Sequence, residues 1–273
     1  MYYSPSNSLD IIKMNFSEKS KNFLPEKFIT LARYIKSLLK YIYFHTYRLI
    51  KKPNPDFLAI GESKEYCPSP HWTLVDIKDS DLNIDFENIN YKFNINLRNI
   101  YSSHCIEHLS DKAINYLFKE ISINMQKNSV FRLETPDVEK IIKDYKLKKN
   151  HNYLKKIQTE NFKNLVHKKN MNNIYGELHI AALGLISCYV DQMHIPVICS
   201  KEIFDDKLNN LSIDEFCNWA ISLQTKEELL SHGHINFWYF EKLQRRLLDA
   251  GFSKVLRCNT NQSFYNFDLS LER

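Results

Sequence analysis

His104, Glu107 and His108 stand within five consecutive positions, His-Cys-Ile-Glu-His. They fit H-x-x-E-H, the pattern in which two histidines on one helix bind zinc while the glutamate acts as a base. That chemistry needs all five residues on one helix, yet Ile100 to Ser103 immediately before them reads as strand, so a helix would begin inside the motif. A second pair, His232 and His234, flanks Gly233 ahead of Phe237-Trp238-Tyr239-Phe240. Two readings are open there. One is a turn leading into an aromatic core cluster; in the other, His234 faces an acceptor and removes its proton, a task suited to imidazole near neutral pH. Asp137, after an expected strand at 130–133, is a further candidate for orienting an acceptor, whereas Cys105 reads as a small buried hydrophobe.

The elements that must hold these residues are short apolar runs, each ending in polar or acidic side chains. Phe57-Leu58-Ala59-Ile60 ends at Gly61, Trp72-Thr73-Leu74-Val75 at Asp76, and Asp81-Leu82-Asn83-Ile84 at Asp85. Leu97 to Tyr101 leads into Ser102-Ser103, a helical pattern covers 111–126, and Val130-Phe131-Arg132-Leu133 leads to Thr135-Pro136-Asp137. Buried strands of this kind predict an α/β fold with a parallel sheet whose carboxyl edge forms the binding crevice.

The run Ile100-Tyr-Ser-Ser-His-Cys-Ile-Glu-His-Leu109 resembles the segment after the fourth strand of class I S-adenosylmethionine-dependent methyltransferases of the methyltransferase type 11-like group. Three further pieces resemble the family in order: Ile60-Gly61 followed by His71-Trp72 and Asp76-Ile77; Arg132-Leu133 with Pro136-Asp137; and Leu243, Leu247 and Gly251-Phe252. The resemblance spans roughly 55–145 and 233–273. It implies a Rossmann-like sheet, mostly parallel with an antiparallel closing hairpin, preceded by an N-terminal helix and interrupted by a helical insertion before the last helix.

The resemblance also implies roles. Gly61 and Glu62 would form the loop against the cofactor, S-adenosylmethionine, with a backbone approach that only a residue without Cβ permits. Asp76 and Ile77 would meet the ribose, and Asp85 and Phe86 the adenine. Ser102, Ser103 and His104 would line the floor near the transferred methyl group, while Glu107 and His108 fix the turn. Together with His104, His234 and Asp137 are the catalytic candidates. Methyl transfer is an in-line displacement, so alignment and desolvation outweigh acid–base groups. The acceptor implied is small or sugar-like, in the setting of surface glycan assembly. The family favours Gly-x-Gly where this chain has Gly61-Glu62-Ser63. That departure keeps open a second reading, a methyltransferase-like domain that has lost its cofactor and serves as a binding or scaffold module.

Composition narrows the field further. Of 273 residues, 44% are hydrophobic and 25% charged, ordinary values for a folded chain. Five glycines leave no G-x-G-x-x-G, P-loop or G-x-S-x-G signature. Six scattered cysteines without C-x-x-C, and no basic apolar leader, predict a reducing cytoplasm. Residues 1–52 hold ten Lys/Arg against three Asp/Glu, while the remainder holds 27 against 29, so charge gives the globular part no nucleic-acid footprint. A basic amphipathic helix is expected over 25–51, either packing on the domain that follows or contacting a membrane surface or protein partner. The expected division is therefore 1–54, a core at 55–145, a helical insertion or lid at 146–231, and a closing segment at 232–273. The insertion carries the basic stretch Lys148 to Lys169, the apolar run Ile180 to Val190 and a helix over 213–223.

Overall fold

The computed structural model describes residues 26–62, 70–93, 96–147, 178–187, 199–231 and 233–258. The chain divides into two compact units, Met1–Lys51 and Lys52–Arg273. In the first, the expected amphipathic helix forms as α1 (Glu26–Ile50), with Leu31, Ile35, Leu38 and Ile42 exposed. No described helix is long and apolar enough to cross a membrane.

The second unit is built on five strands, β1 (Asn54–Ile60), β2 (Trp72–Asp76), β3 (Leu82–Asn83), β4 (Leu97–Ser103) and β5 (Met125–Glu134). Their order is β3-β2-β1-β4-β5 and every neighbouring pair is parallel. Central strands of such a sheet are covered on both faces and carry continuous apolar runs. Leu58, Ala59 and Ile60 of β1 and Trp72 and Val75 of β2 are accordingly fully buried. Because all strands run the same way, Ile60, Asp76, Asn83, Ser103 and Glu134 end at one edge. The strand order reverses between β1 and β4, where the register pairs Ile60 with Ser102; crevices of open α/β sheets form at this kind of switch point.

Between β4 and β5 runs α2 (Asp111–Asn124), capped by the Ser110 hydroxyl, which accepts from the Ala113 amide. Ala113, Ile114, Leu117, Phe118 and Ile121 enter one hydrophobic cluster with the strands and with Leu247 and Ala250 of α8 (Phe240–Ala250). Gly251 ends α8 in the left-handed region (φ 108°), its N–H bonding to the Leu248 carbonyl and that of Phe252 to Leu247. This is a Schellman closure, with Phe252 packed against the same cluster. The motif Leu243 to Phe252 thus forms the expected last helix and turn.

A second cluster unites α3 (Val138–Lys146), α4 (Leu178–Ser187), α5 (Lys201–Asn210) and α6 (Ile213–Ser222) around Phe204, whose ring meets Tyr145 and Phe216 edge-on at 4.7 and 5.3 Å. The described part of the insertion therefore has its own apolar core, shared with α3 and Phe237. A short helix α7 (Lys226–Ser231) follows. The expected antiparallel hairpin does not occur among the described residues; its positions 259–273 lie outside them, as do His232, Ser63 and the basic stretch at 148–169.

The H-x-x-E-H reading is corrected by the backbone. His104 has a positive φ of 51°, and only Ile106–His108 form a turn of 3-10 helix, so His104 and His108 do not share an α-helical face. β4 runs through Ser103, leaving too few residues for a helix to start.

Candidate functional site

The carboxyl edge carries two polar groups of different character. On the β2 side, Asp76 ends its strand partly exposed, its Oδ1 accepting from the Ile77 amide at 2.6 Å while its carbonyl accepts from Ile84 N–H. Ile77 is exposed. Asp85 sits on an exposed turn beyond β3, where its Oδ1 accepts from Glu87 N–H at 3.0 Å. Phe86, expected beside the adenine, points into the core and meets Tyr91 edge-on at 5.6 Å.

At the β1/β4 switch point, Gly61 has φ +71°, and a Cβ there would lie 2.6 Å from Cys105 Cβ and 2.7 Å from its sulfur. Glycine is required both by its backbone and by the packing of Cys105, a physical reason that differs from the expected close approach of a cofactor. Burial, with the nearby Glu107 charge adding to it, pushes the Cys105 thiol up to about 12, so it is an inert packing group. Glu62 is buried at 6% exposure, and its charge reaches Tyr101, His104 and Cys105. Ser102 is buried and Ser103 partly so.

His104 projects outward, its side chain 61% exposed, with Nδ1 3.2 Å from Oε1 of Glu107. Its amide donates to the Glu134 carbonyl, which fixes the left-handed turn. The contact with Glu107 raises the His104 pKa against the opposing effect of burial. Glu107 itself is 1% exposed. Burial alone would favour its neutral form, but the His104 imidazole beside it holds its carboxyl below the usual range, so it is ionised. Its Oε2 accepts from the Thr135 hydroxyl at 3.1 Å, and its backbone carbonyl accepts from both Ile235 and Asn236 N–H.

Those last bonds bring the loop 233–236 against the turn 104–108. His108 Nδ1 lies 3.1 Å from the Gly233 carbonyl, and His234 Nδ1 lies 3.0 Å from the Ile186 carbonyl in the last turn of α4. The two rings meet edge to face at 4.9 Å. His234 is 6% exposed, and burial lowers its pKa to about 4, so it is neutral. Asp137 caps α3 through Lys140 N–H and pairs with Arg257, so each of its carboxylate oxygens has a partner within the chain.

The structure thus gathers Gly61, Glu62, Ser102, Ser103 and His104 at the switch point, with Asp76 at the end of the adjoining strand and Asp85 further out past β3. Sequence reading missed the convergence of Glu107 and His108 with His234. The Glu-His doublet and the His-Gly-His triplet were visible, but spacing along the chain gives no sign that they meet. No family model, curated protein or solved structure matches the chain.

Proposed function

We propose that the chain is an S-adenosylmethionine-dependent methyltransferase acting on a small or sugar-like acceptor, of the kind used in surface glycan assembly. The observation that carries the reading is the all-parallel order β3-β2-β1-β4-β5, with Gly61, Asp76 and the Ser102–His104 turn ending neighbouring strands at its switch point. A carboxylate at the end of the second strand suits a ribose diol, because both hydroxyls can donate to it. Asp76 is exposed enough to accept such bonds. His104 is then the residue placed for the acceptor: its ring is exposed, and its Nδ1 faces the buried Glu107, leaving Nε2 to take a proton from the attacking group. His234, buried and bonded to Ile186, serves this reading as a support for the turn rather than as the base.

Titration calorimetry with S-adenosylmethionine and S-adenosylhomocysteine tests it. Saturable binding of one ligand per chain, weakened at least tenfold in Asp76→Ala, is expected; no heat at high micromolar ligand contradicts it. That contrary result is the one expected of a domain that has lost its cofactor and works as a scaffold. The buried Glu62 and the Cys105 side chain packed against Gly61 favour this second reading, because they fill space beside the strand end.

A further inference from the structure

Glu107, His108 and His234 each present one ligand atom, and the three atoms lie within 4.8 Å of one another, the one such group of three among the described residues. The way the rings are held matters more than the distance. A backbone carbonyl can only accept, so the Nδ1 atoms facing the carbonyls of Gly233 and Ile186 carry the ring protons. With the proton on Nδ1, Nε2 is the nitrogen left to each ring for an ion. Imidazoles that donate one nitrogen to a carbonyl and turn the other to an ion are the usual arrangement of metal-bound histidine. The third donor is a deeply buried carboxylate, a group that is costly to bury without a positive charge or several donors to answer it. One answer is the mostly exposed His104, and another the Thr135 hydroxyl; each oxygen keeps a second lone pair.

We infer that Glu107, His108 and His234 form a binding site for one divalent transition-metal ion of the zinc class. Two imidazoles and one carboxylate are borderline donors that favour Zn²⁺ or Co²⁺ over Mg²⁺ or Ca²⁺, which take oxygen ligands. Three protein donors leave a coordination position for water or a ligand. Donors around a tetrahedral zinc stand about 3.3 Å apart, so donors now up to 4.8 Å apart draw together by as much as about 1.5 Å on binding. The ion would join the turn 104–108 to the loop 233–236, and through His234 to the end of α4, segments that are distant in sequence. This site is distinct from the H-x-x-E-H set, since His104 is not a donor, and it does not depend on the methyltransferase reading.

The test uses the full chain, stripped with a chelator and titrated with Zn²⁺ alone in competition with a chromophoric chelator. One ion per chain is expected, with a higher melting temperature in Zn²⁺ than in EDTA. Co²⁺ loaded in place of Zn²⁺ should give visible absorption bands of a four- or five-coordinate ion. Affinity should fall at least tenfold in His108→Ala and in Glu107→Gln, and change less than threefold in His104→Ala. His108 is only partly buried, so its variant is the one expected to fold, and circular dichroism of each variant checks this. Absence of stoichiometric binding at micromolar Zn²⁺, or binding unchanged in a folded His108→Ala, overturns the site. Equal loss in His104→Ala overturns the donor set.

Discussion

The two sides of the carboxyl edge handle charge in opposite ways. Asp76 at the end of β2 and Asp85 just beyond β3 have access to water, each carboxylate accepting from a backbone amide one or two residues ahead. Glu107 and His234 stand in the interior, each tied to partners from distant parts of the chain. An exposed carboxylate costs the fold little and stays free to meet a ligand arriving from solvent. A buried one has lost its hydration and must be answered within the protein. Under the proposed function, the exposed carboxylates of the β2 side are the ones open to a ligand, whereas the segments 104–108 and 233–236 are held by buried polar contacts.

Truncation breaks this comparison most strongly. Glu107→Ala removes a buried charge with its Thr135 and His104 partners, and unfolding in urea should show a loss of about 3–4 kcal/mol. Asp85→Ala should cost less than about 0.5 kcal/mol, because its one side-chain bond lies on an exposed turn. Equal costs would erase the distinction between the two sides.

Acid should act on the buried side first. The pKa of His234 falls from 6.5 to about 4 on folding, so between those values the unfolded chain binds more protons than the folded one. Its contribution is complete above pH 6.5 and is lost as pH falls toward 4, amounting to roughly 3 kcal/mol. His104 has the opposite sign: its raised pKa gives stability that is complete below 6.5 and lost as pH rises through the folded value. Stability curves in EDTA for the natural chain and for His234→Gln should converge as pH falls from 6.5 to 4; parallel curves would place the acid sensitivity elsewhere.

A smaller effect sharpens the border between the two sides. Gly61→Ala should destabilise by about 2 kcal/mol, combining a left-handed alanine with overpacking against Cys105. Combining it with Cys105→Ala relieves the contact with sulfur but neither the contact with the Cβ of residue 105 nor the backbone strain, so a double-mutant cycle should recover only part of the loss. Full additivity would show that the Cys105 sulfur does not compete for that space.

Much of the framework was legible because it obeys local periodicity. The runs ending at Gly61, Asp76 and Ser103 became parallel strands, and the helices at 26–50, 111–124 and 213–222 formed within a few residues of their expected limits. Asp137 also carries a local signal, since Asp directly before the amphipathic run Val138 to Tyr145 is an N-cap pattern, and it caps α3. Phe86 was assigned by its neighbour Asp85, but a lone aromatic beside a polar turn turns inward, and here it packs on Tyr91. The meeting of Glu107 with His234 was beyond reach. It depends on two loops held together by main-chain bonds from Ile235 and Asn236 to the Glu107 carbonyl, and nothing in the side-chain pattern encodes those.

Hydrogen exchange with and without S-adenosylhomocysteine tests the central claim most directly. Binding at the switch point predicts slowed exchange confined to the backbone around Gly61–Glu62, Asp76–Ile77 and Ser102–His104, and no such slowing in Asp76→Ala. An exchange pattern unchanged by saturating ligand, or slowed only away from these three strand ends, would contradict it.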